Sequence, residues 1–414
     1  MQFSSLNLAT PILQVLEKSG YQTPTPIQQQ AIPVVLQRRD VLACAQTGTG
    51  KTASFALPLI QFLMDRPAGK PDGPQALILA PTRELAIQIG ENIGVYASLT
   101  CVKHTVVFGG VSINNQIDAL RKRPEILVAT PGRLLDLLGQ RALSLQDIRY
   151  LVLDEADRML DMGFIRDIRK IIDLIPKERQ TLLFSATMPK DIEELSRTIL
   201  RNPERIAVTP VSSTAERITQ AVYPVAKADK AGLLAHLVTE EKGSHILVFS
   251  RTKHGADRIV RKLKQAGVAA QAIHGDKSQS ARQKALAQFK AGIAKVLVAT
   301  DIAARGIDVD SLELVINYDL PNEAETYVHR IGRTGRAGAS GRAWSFCDVD
   351  EQDYLRQIQK LIGRQITVVT DHPFMLVGGS TVAMQAPQPT APSAKKKRKN
   401  GHRNKRRRME GAAV

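Results

Sequence analysis

Cysteine is scarce in this chain of 414 residues: Cys44, Cys101 and Cys347 stand far apart, with no Cys-x-x-Cys pair and no metal-ligand spacing. That argues against a disulfide framework or a structural zinc site. Each thiol lies in or beside an apolar run and is expected to behave as a small buried hydrophobe. Long apolar runs are missing too. The longest, such as ILVFS at 246–250, fall far short of the roughly 20 residues that cross a bilayer. The opening MQFSSLNLAT has neither the basic start nor the apolar stretch of a secretion signal. With 43% apolar and 23% charged residues, the composition is that of a soluble, intracellular globular protein with no membrane partner. At about 150 residues per domain, two or three compact units are expected.

What the chain has in excess is positive charge, +17 in all, and it is unevenly spread. Ten Lys or Arg and no acid lie between Lys395 and Arg408, so more than half of the surplus sits in one short block. Clustered positive charge attracts phosphate backbones, which points to a polyanionic partner. By charge alone, DNA, RNA and an anionic membrane surface fit equally well.

The first half alternates short apolar runs with amphipathic stretches. The runs are VLAC (41–44), ALILA (76–80), ILVAT (126–130), LVLD (151–154) and TLLF (181–184). Runs apolar throughout suit a parallel sheet covered on both faces. Crossover helices are expected near 51–64, 83–96, 131–138 and 191–200, giving repeated βαβ units and a doubly wound α/β domain. A polar stretch, PVSSTAERIT, interrupts the pattern at 210–219. It resumes with HILVFS (245–250), AAQAIH (269–274), KVLVAT (295–300) and LELVINYD (312–319), with helices near 253–265 and 278–290. The division expected is 1–209 for one domain, 210–218 for a linker, 219–370 for a second domain, and 371–414 for a disordered basic tail. The tail is rich in Pro, Ala and Gly before its basic block and is too poor in apolar residues to offset the cost of ordering it.

The sharpest local signal is AQTGTGKT at 45–52, between an apolar strand and a helix, the context a phosphate-binding loop requires. Gln46, Thr47, Gly48, Thr49 and Gly50 form the turn whose amides face phosphate oxygens, and Lys51 neutralises charge. The Thr52 hydroxyl and Asp154, which leaves the strand in LVLDEAD, are expected to hold Mg²⁺, partly through water. Glu155 is placed as general base on the attacking water. HRIGRTGR at 329–336 packs three arginines into eight residues. Its place in the second half suggests that Arg333 and Arg336 reach the γ-phosphate of ATP when two domains close.

These segments, in this order, resemble the DEAD-box family of ATP-dependent RNA helicases, whose naming tetrapeptide is Asp154-Glu155-Ala156-Asp157 here. The resemblance covers about residues 1–365 and extends to most of the family's motifs; size and basic tail are most similar to the bacterial RhlE-type branch. It implies two tandem RecA-like parallel-sheet domains of the P-loop NTPase, helicase superfamily 2 type, with ATP and Mg²⁺ as cofactors and a cytoplasmic, bacterial setting. An upstream aromatic and a PTPIQ segment read adenine in the family, which here implies Phe3, Thr25 and Gln28, with Tyr21 as a nearby packing residue. PTRELA, the pair Gly109-Gly110 and TPGR imply RNA contacts by Arg83, Gly110, Thr130 and Arg133. Ser185 and Thr187 of SAT resemble the element that links ATP state to RNA strain. In the second half Thr252, Arg282 and Thr300 are implied on RNA and Asp308 on the nucleotide sugar. His329 would tie the last motif to the DEAD segment.

The implied activity is RNA-stimulated ATP hydrolysis with local, non-processive unwinding of short duplexes, in ribosome assembly or RNA turnover. Structured RNA, ribosomal RNA or pre-ribosomal particles, and proteins of RNA decay are the implied partners. An ATP-gated RNA clamp and a DNA-dependent ATPase remain as alternatives, since the same catalytic residues serve all three.

Overall fold

The structure is a computed structural model and describes residues 2–45, 48–64, 73–208, 218–241, 245–304, 312–335 and 341–375. Seven strands form the first sheet: β1 (Val41–Ala45), β2 (Ala76–Leu79), β3 (His104–Val107), β4 (Ile126–Ala129), β5 (Tyr150–Leu153), β6 (Gln180–Ser185) and β7 (Glu204–Val208). They pair in the order β3-β4-β2-β5-β6-β1-β7, every pair parallel. Successive side chains of a strand point to opposite faces. Val41, Ala43, Ile78 and Val152 accordingly join one apolar cluster, with Phe55 and Leu59 of the helix Lys51–Met64. Leu42, Leu77, Leu79 and Leu151 join another, with Leu134, Met159 and Ile168. Two buried faces explain why these strands read as unbroken apolar runs.

The second sheet contains β8 (Ile218–Pro224), β9 (Ile246–Phe249), β10 (Ala270–Ile273), β11 (Val296–Ala299), β12 (Leu314–Asn317), β13 (Gly341–Cys347) and β14 (Thr367–Val368). Its order is β10-β11-β9-β12-β13-β8-β14, again parallel throughout. Each strand takes the place of the one seven earlier in the first sheet, so β8 corresponds to β1 and β12 to β5. Two RecA-like sheets of one topology therefore follow each other along the chain. In both, functional side chains gather where the strands end and the helices begin, the crevice beyond the carboxyl ends of a parallel sheet.

Two expected boundaries shift. Ile218, read as linker, opens β8 and is buried. The tail was expected from 371, yet residues up to Met375 pack on the second domain. The His372 ring lies 5.7 Å from Tyr223, Met375 bridges to Val225, and Phe374 lies against Gly232, where a Cβ would come within 2.7 Å of its ring. An aromatic seated on a glycine supplies the burial that composition alone did not reveal. The rest of the expected linker and tail lies outside the described residues, and among the described residues no helix is long and apolar enough to cross a membrane.

Asp40 fixes β1 before it reaches the phosphate loop. Its buried carboxylate accepts from the Thr181 amide at 2.8 Å and the Arg201 amide at 2.7 Å, and its carbonyl from the Glu204 amide at 2.8 Å. Asp40→Ala is expected to destabilise the first domain by about 2–4 kcal/mol, because two buried amides lose an ionised acceptor. Urea unfolding measures this, and a loss under about 0.5 kcal/mol would contradict the reading.

Candidate functional site

Strand β1 delivers the chain into the glycine-rich turn, and Lys51 is the first residue of the helix that follows. Gly50 has φ +91°, and a Cβ there would sit 2.4 Å from Gln28 Nε2, so the position requires glycine on both counts. Gln28 donates from Nε2 to the Gly50 carbonyl at 3.1 Å and accepts from the Thr25 amide at 2.9 Å. The residue expected to read adenine thus also holds the phosphate loop. A carboxamide offers two donors and two lone pairs, so one of each remains for a base edge.

Lys51 is 5% exposed, its Nζ has no hydrogen-bond partner among the described residues, and Asp154 Oδ1 lies 4.0 Å away. A buried ammonium with one distant carboxylate is suited to receive phosphate oxygens. Among the described residues no group of three or more His, Cys, Asp or Glu could hold a metal. The donors present, the Thr52 hydroxyl and the buried Asp154 carboxylate, fit Mg²⁺, which commonly completes its shell with water and substrate phosphates.

After β5, Glu155 takes the left-handed conformation, φ 51° and ψ 53°, and is buried. Arg158 pairs with its Oε2, while Oε1 is buried without a hydrogen-bond partner. Burial pushes the Glu155 carboxyl up, but Arg158, then Lys51 and Arg333, together pull it well below the usual carboxylate range. Burial raises neighbouring Asp154, outweighing Lys51. Glu155 is therefore ionised at neutral pH and accepts hydrogen bonds more readily than protons.

Asp157 received no role from the sequence, yet it joins two motifs. Its Oδ2 accepts from the Thr187 amide and hydroxyl, both at 2.8 Å, and from the Ala186 amide at 3.2 Å, while its own amide donates to Ser185 Oγ at 3.2 Å. The SAT turn is thus fastened to the end of the DEAD segment.

A second group of side chains lies across the two domains. Gln279 donates to Glu84 Oε1 at 3.1 Å and Arg282 pairs with Glu84 Oε2 at 2.8 Å. Arg282, expected on RNA, is 8% exposed and engaged by this first-domain carboxylate. Arg83 donates to Gln279 at 3.5 Å and packs on Gly110, where a Cβ would fall 2.2 Å from its Nη1. Arg133 donates to the Val111 carbonyl at 3.1 Å, leaving Nε and Nη1 buried without hydrogen bonds. Thr130 and Thr252 are the N-caps of the helices Pro131–Gly139 and Lys253–Gln265; Thr300 precedes the helix Asp301–Ala304. His329 and the buried Arg333 line a small interdomain cavity with Arg158. The first arginine of that motif, Arg330, is spent inside the second domain on Asp301 and Asn317.

Phe3 is 5% exposed, with most of its ring in the first-domain core. Tyr21 packs edge-on against Tyr96, ring centroids 6.1 Å apart. Gln46, Thr47, Asp308 and Arg336 lie outside the described residues. Glu84, Asp157 and Arg158 are the residues that sequence reasoning passed over. Glu84 and Asp157 stand within quoted motifs, but their partners are far away in the chain.

Glu84→Gln keeps the shape and removes the charge that Arg282 faces. It is expected to leave the melting of each domain unchanged and to weaken the closed arrangement by about 2–3 kcal/mol. Energy transfer between dyes on the two domains reads this; unchanged transfer would show that the pair contributes nothing to closure.

A model of the DEAD/DEAH box helicase family matches residues 25–195, and one of the helicase conserved C-terminal domain matches 229–338. The chain is 45% identical over 363 residues to DEAD-box ATP-dependent RNA helicase 30 of Arabidopsis thaliana, covering 87% of this chain and 61% of that protein's length. It is 45% identical over 364 residues to ATP-dependent RNA helicase DbpA of Bacillus subtilis, covering 88% of this chain and 75% of the relative. The structure of S. cerevisiae Dbp5 bound to RNA and ADP BeF3 matches with a TM-score of 0.79 at 33% identity, over 89% of this chain and 95% of that one. With both RecA-like sheets, the phosphate loop and the DEAD segment in place, this chain belongs to the DEAD-box family of ATP-dependent RNA helicases.

Proposed function

We propose that this protein couples ATP hydrolysis to local, non-processive unwinding of short RNA duplexes. The observation that carries the reading is the closed arrangement of the domains: Glu84 engages Gln279 and Arg282 while Arg333 bears on Glu155. The fit to Dbp5 bound to RNA and ADP BeF3 supports it, since a single superposition spans both domains.

In this reading ATP lies in the crevice beyond β1 and β5. Adenine meets Gln28, Thr25 and the exposed edge of the Phe3 and Tyr21 region, and Asp308 meets the sugar. The amides of residues 46–50 and Lys51 take the phosphates. Mg²⁺ held by Thr52 and Asp154 would neutralise phosphate charge when bound. Glu155 Oε1 orients the attacking water, and its low proton affinity makes it an aligner first and a base second. Arg333 and Arg336 come from the second domain, so the γ-phosphate is fully engaged only when the domains close. Asp157 passes the state of the DEAD segment to Ser185 and Thr187, and His329 links it to the last motif. Arg83, Gly110, Thr130, Arg133, Thr252 and Thr300 grip one strand through phosphate and sugar, which carries little sequence preference. Arg282 acts from behind that surface through Glu84.

We further assign the domain limits near residues 209 and 218, an RhlE-type relationship, a bacterial cytoplasmic setting, and work on structured or ribosomal RNA in ribosome assembly or turnover. The basic tail acts as a salt-sensitive RNA tether.

Steady-state ATPase activity with single-stranded RNA, matched DNA and neither tests the core of this. Stimulation by RNA alone is expected, with Glu155→Gln lowering kcat by about 100-fold or more while ATP still binds, and Lys51→Ala losing binding as well. Equal stimulation by DNA would overturn the RNA assignment. Removing residues 376–414 is expected to weaken RNA binding at low salt and to flatten its salt dependence; an unchanged slope would move the tail to a protein partner.

A further inference from the structure

The equivalence of the two sheets places a second lysine where the phosphate-binding one stands. Lys51 opens the helix after β1 and faces Asp154, beyond β5, at 4.0 Å. Lys230 opens the helix Lys230–Glu240 after β8 and faces Asp319, beyond β12, at 3.9 Å. Since β8 corresponds to β1 and β12 to β5, the two lysines occupy the same place in their domains, while Asp319 stands one residue farther beyond its strand than Asp154 does. They differ in what neutralises the ammonium. Lys51 Nζ has no hydrogen-bond partner, whereas Lys230, 1% exposed, donates to Glu351 Oε2 and lies 3.1 Å from Asp348 Oδ2. A buried ammonium needs an anion, and in the second domain the chain supplies its own.

That self-filled site reaches the turn after β9. Glu351 Oε1 accepts from Arg251 Nη2 at 2.9 Å and from the Leu320 amide at 3.1 Å. Asp319 Oδ2 accepts from the Arg251 amide at 2.8 Å and from Ser250 Oγ at 3.4 Å. Arg251 is thus held by backbone and side chain at once, and the next residue is Thr252. In the first domain a carboxylate likewise holds a turn, although a different one: Asp157 holds Ser185–Thr187, after β6.

We propose that Lys230, Asp319, Asp348 and Glu351 are a nucleotide-free counterpart of the ATP site, closed by Glu351 in place of phosphate, that positions the Ser250–Thr252 turn for RNA. The proposal rests on the reading that Thr252 contacts RNA. Lys230 and Glu351 are positioning residues and touch neither substrate.

The test uses the full chain, ATPase activity and a single-stranded oligouridylate as the RNA. Glu351→Gln is expected to raise the half-saturating RNA concentration roughly tenfold, with kcat at saturating RNA and KM for ATP within about twofold of the parent. Arg251→Met, which cuts the link at a side chain 41% exposed and leaves the buried lysine paired, gives the same shift without depending on refolding of the cluster. Lys230→Arg retains the charge and is expected to recover most of the RNA affinity lost in Lys230→Met. Thr252→Ala in the same assay separates the two ideas. If it weakens RNA and Arg251→Met does not, the positioning proposal falls alone; if neither changes RNA half-saturation, the RNA role of the turn falls with it. A lowered melting temperature in Glu351→Gln with unchanged RNA half-saturation would make the cluster a scaffold only and overturn the proposal.

Discussion

A buried positive charge must have a negative one nearby, and at Lys51 the protein leaves that requirement only partly met. Around this deficit the first domain is organised. Asp40 fixes the strand that leads into the loop, Gln28, itself bonded by the Thr25 amide, holds its last glycine, and Asp154 is raised in proton affinity by the same burial that isolates the lysine. None of these contacts supplies the missing anion. On the proposed function the triphosphate does, and the surrounding polar groups determine what that binding can change: one hydrogen-bond network runs from Asp157 to the SAT turn, and an electrostatic one runs through Glu155 to Arg333 in the other domain.

Closure is consequently shared between two places. One is the phosphate crevice, where Arg158, Glu155 and Arg333 meet; the other is the contact between the helices Arg83–Tyr96 and Gln279–Lys290, where Glu84 faces Gln279 and Arg282. Each alone is a small area. On the proposed function both form in one movement, so that ligands at either favour the same arrangement and reinforce each other without touching.

The central strands were legible because burial on both faces leaves nothing but apolar residues: VLAC, ALILA, ILVAT and LVLD read directly as β1, β2, β4 and β5. The edge strands β3 and β7 were not, since His104 and Glu204 sit where one face or one end meets solvent. β8 and β13 escaped for another reason: Gln220 and Ser345 are buried polar residues, satisfied by Tyr327 and Asn317, and they break the apolar run. The doubling of the α/β pattern was legible in the sequence, whereas the shared strand order of the two sheets needed the folded chain. At the site, Lys51, Asp154 and Glu155 were legible from spacing. Asp157 and Glu84 were not, because their partners lie about 30 and 195 residues away and only the folded chain brings them together. For Arg282, expected on RNA, nothing in the sequence signalled that an acid from the other domain, Glu84, faces it.

Glu155 has a left-handed backbone, a conformation costing about 1–2 kcal/mol because Cβ crowds the following carbonyl oxygen, and costing little for glycine. Selection for heat resistance alone would therefore favour replacing it, and would remove a buried carboxylate oxygen with no hydrogen-bond partner among the described residues in doing so. If Glu155 aligns the attacking water as proposed, thermal robustness and turnover are opposed at this single position. A stabilised library of this enzyme would need residue 155 held fixed, or its best survivors would be those that grip nucleotide and never let it react.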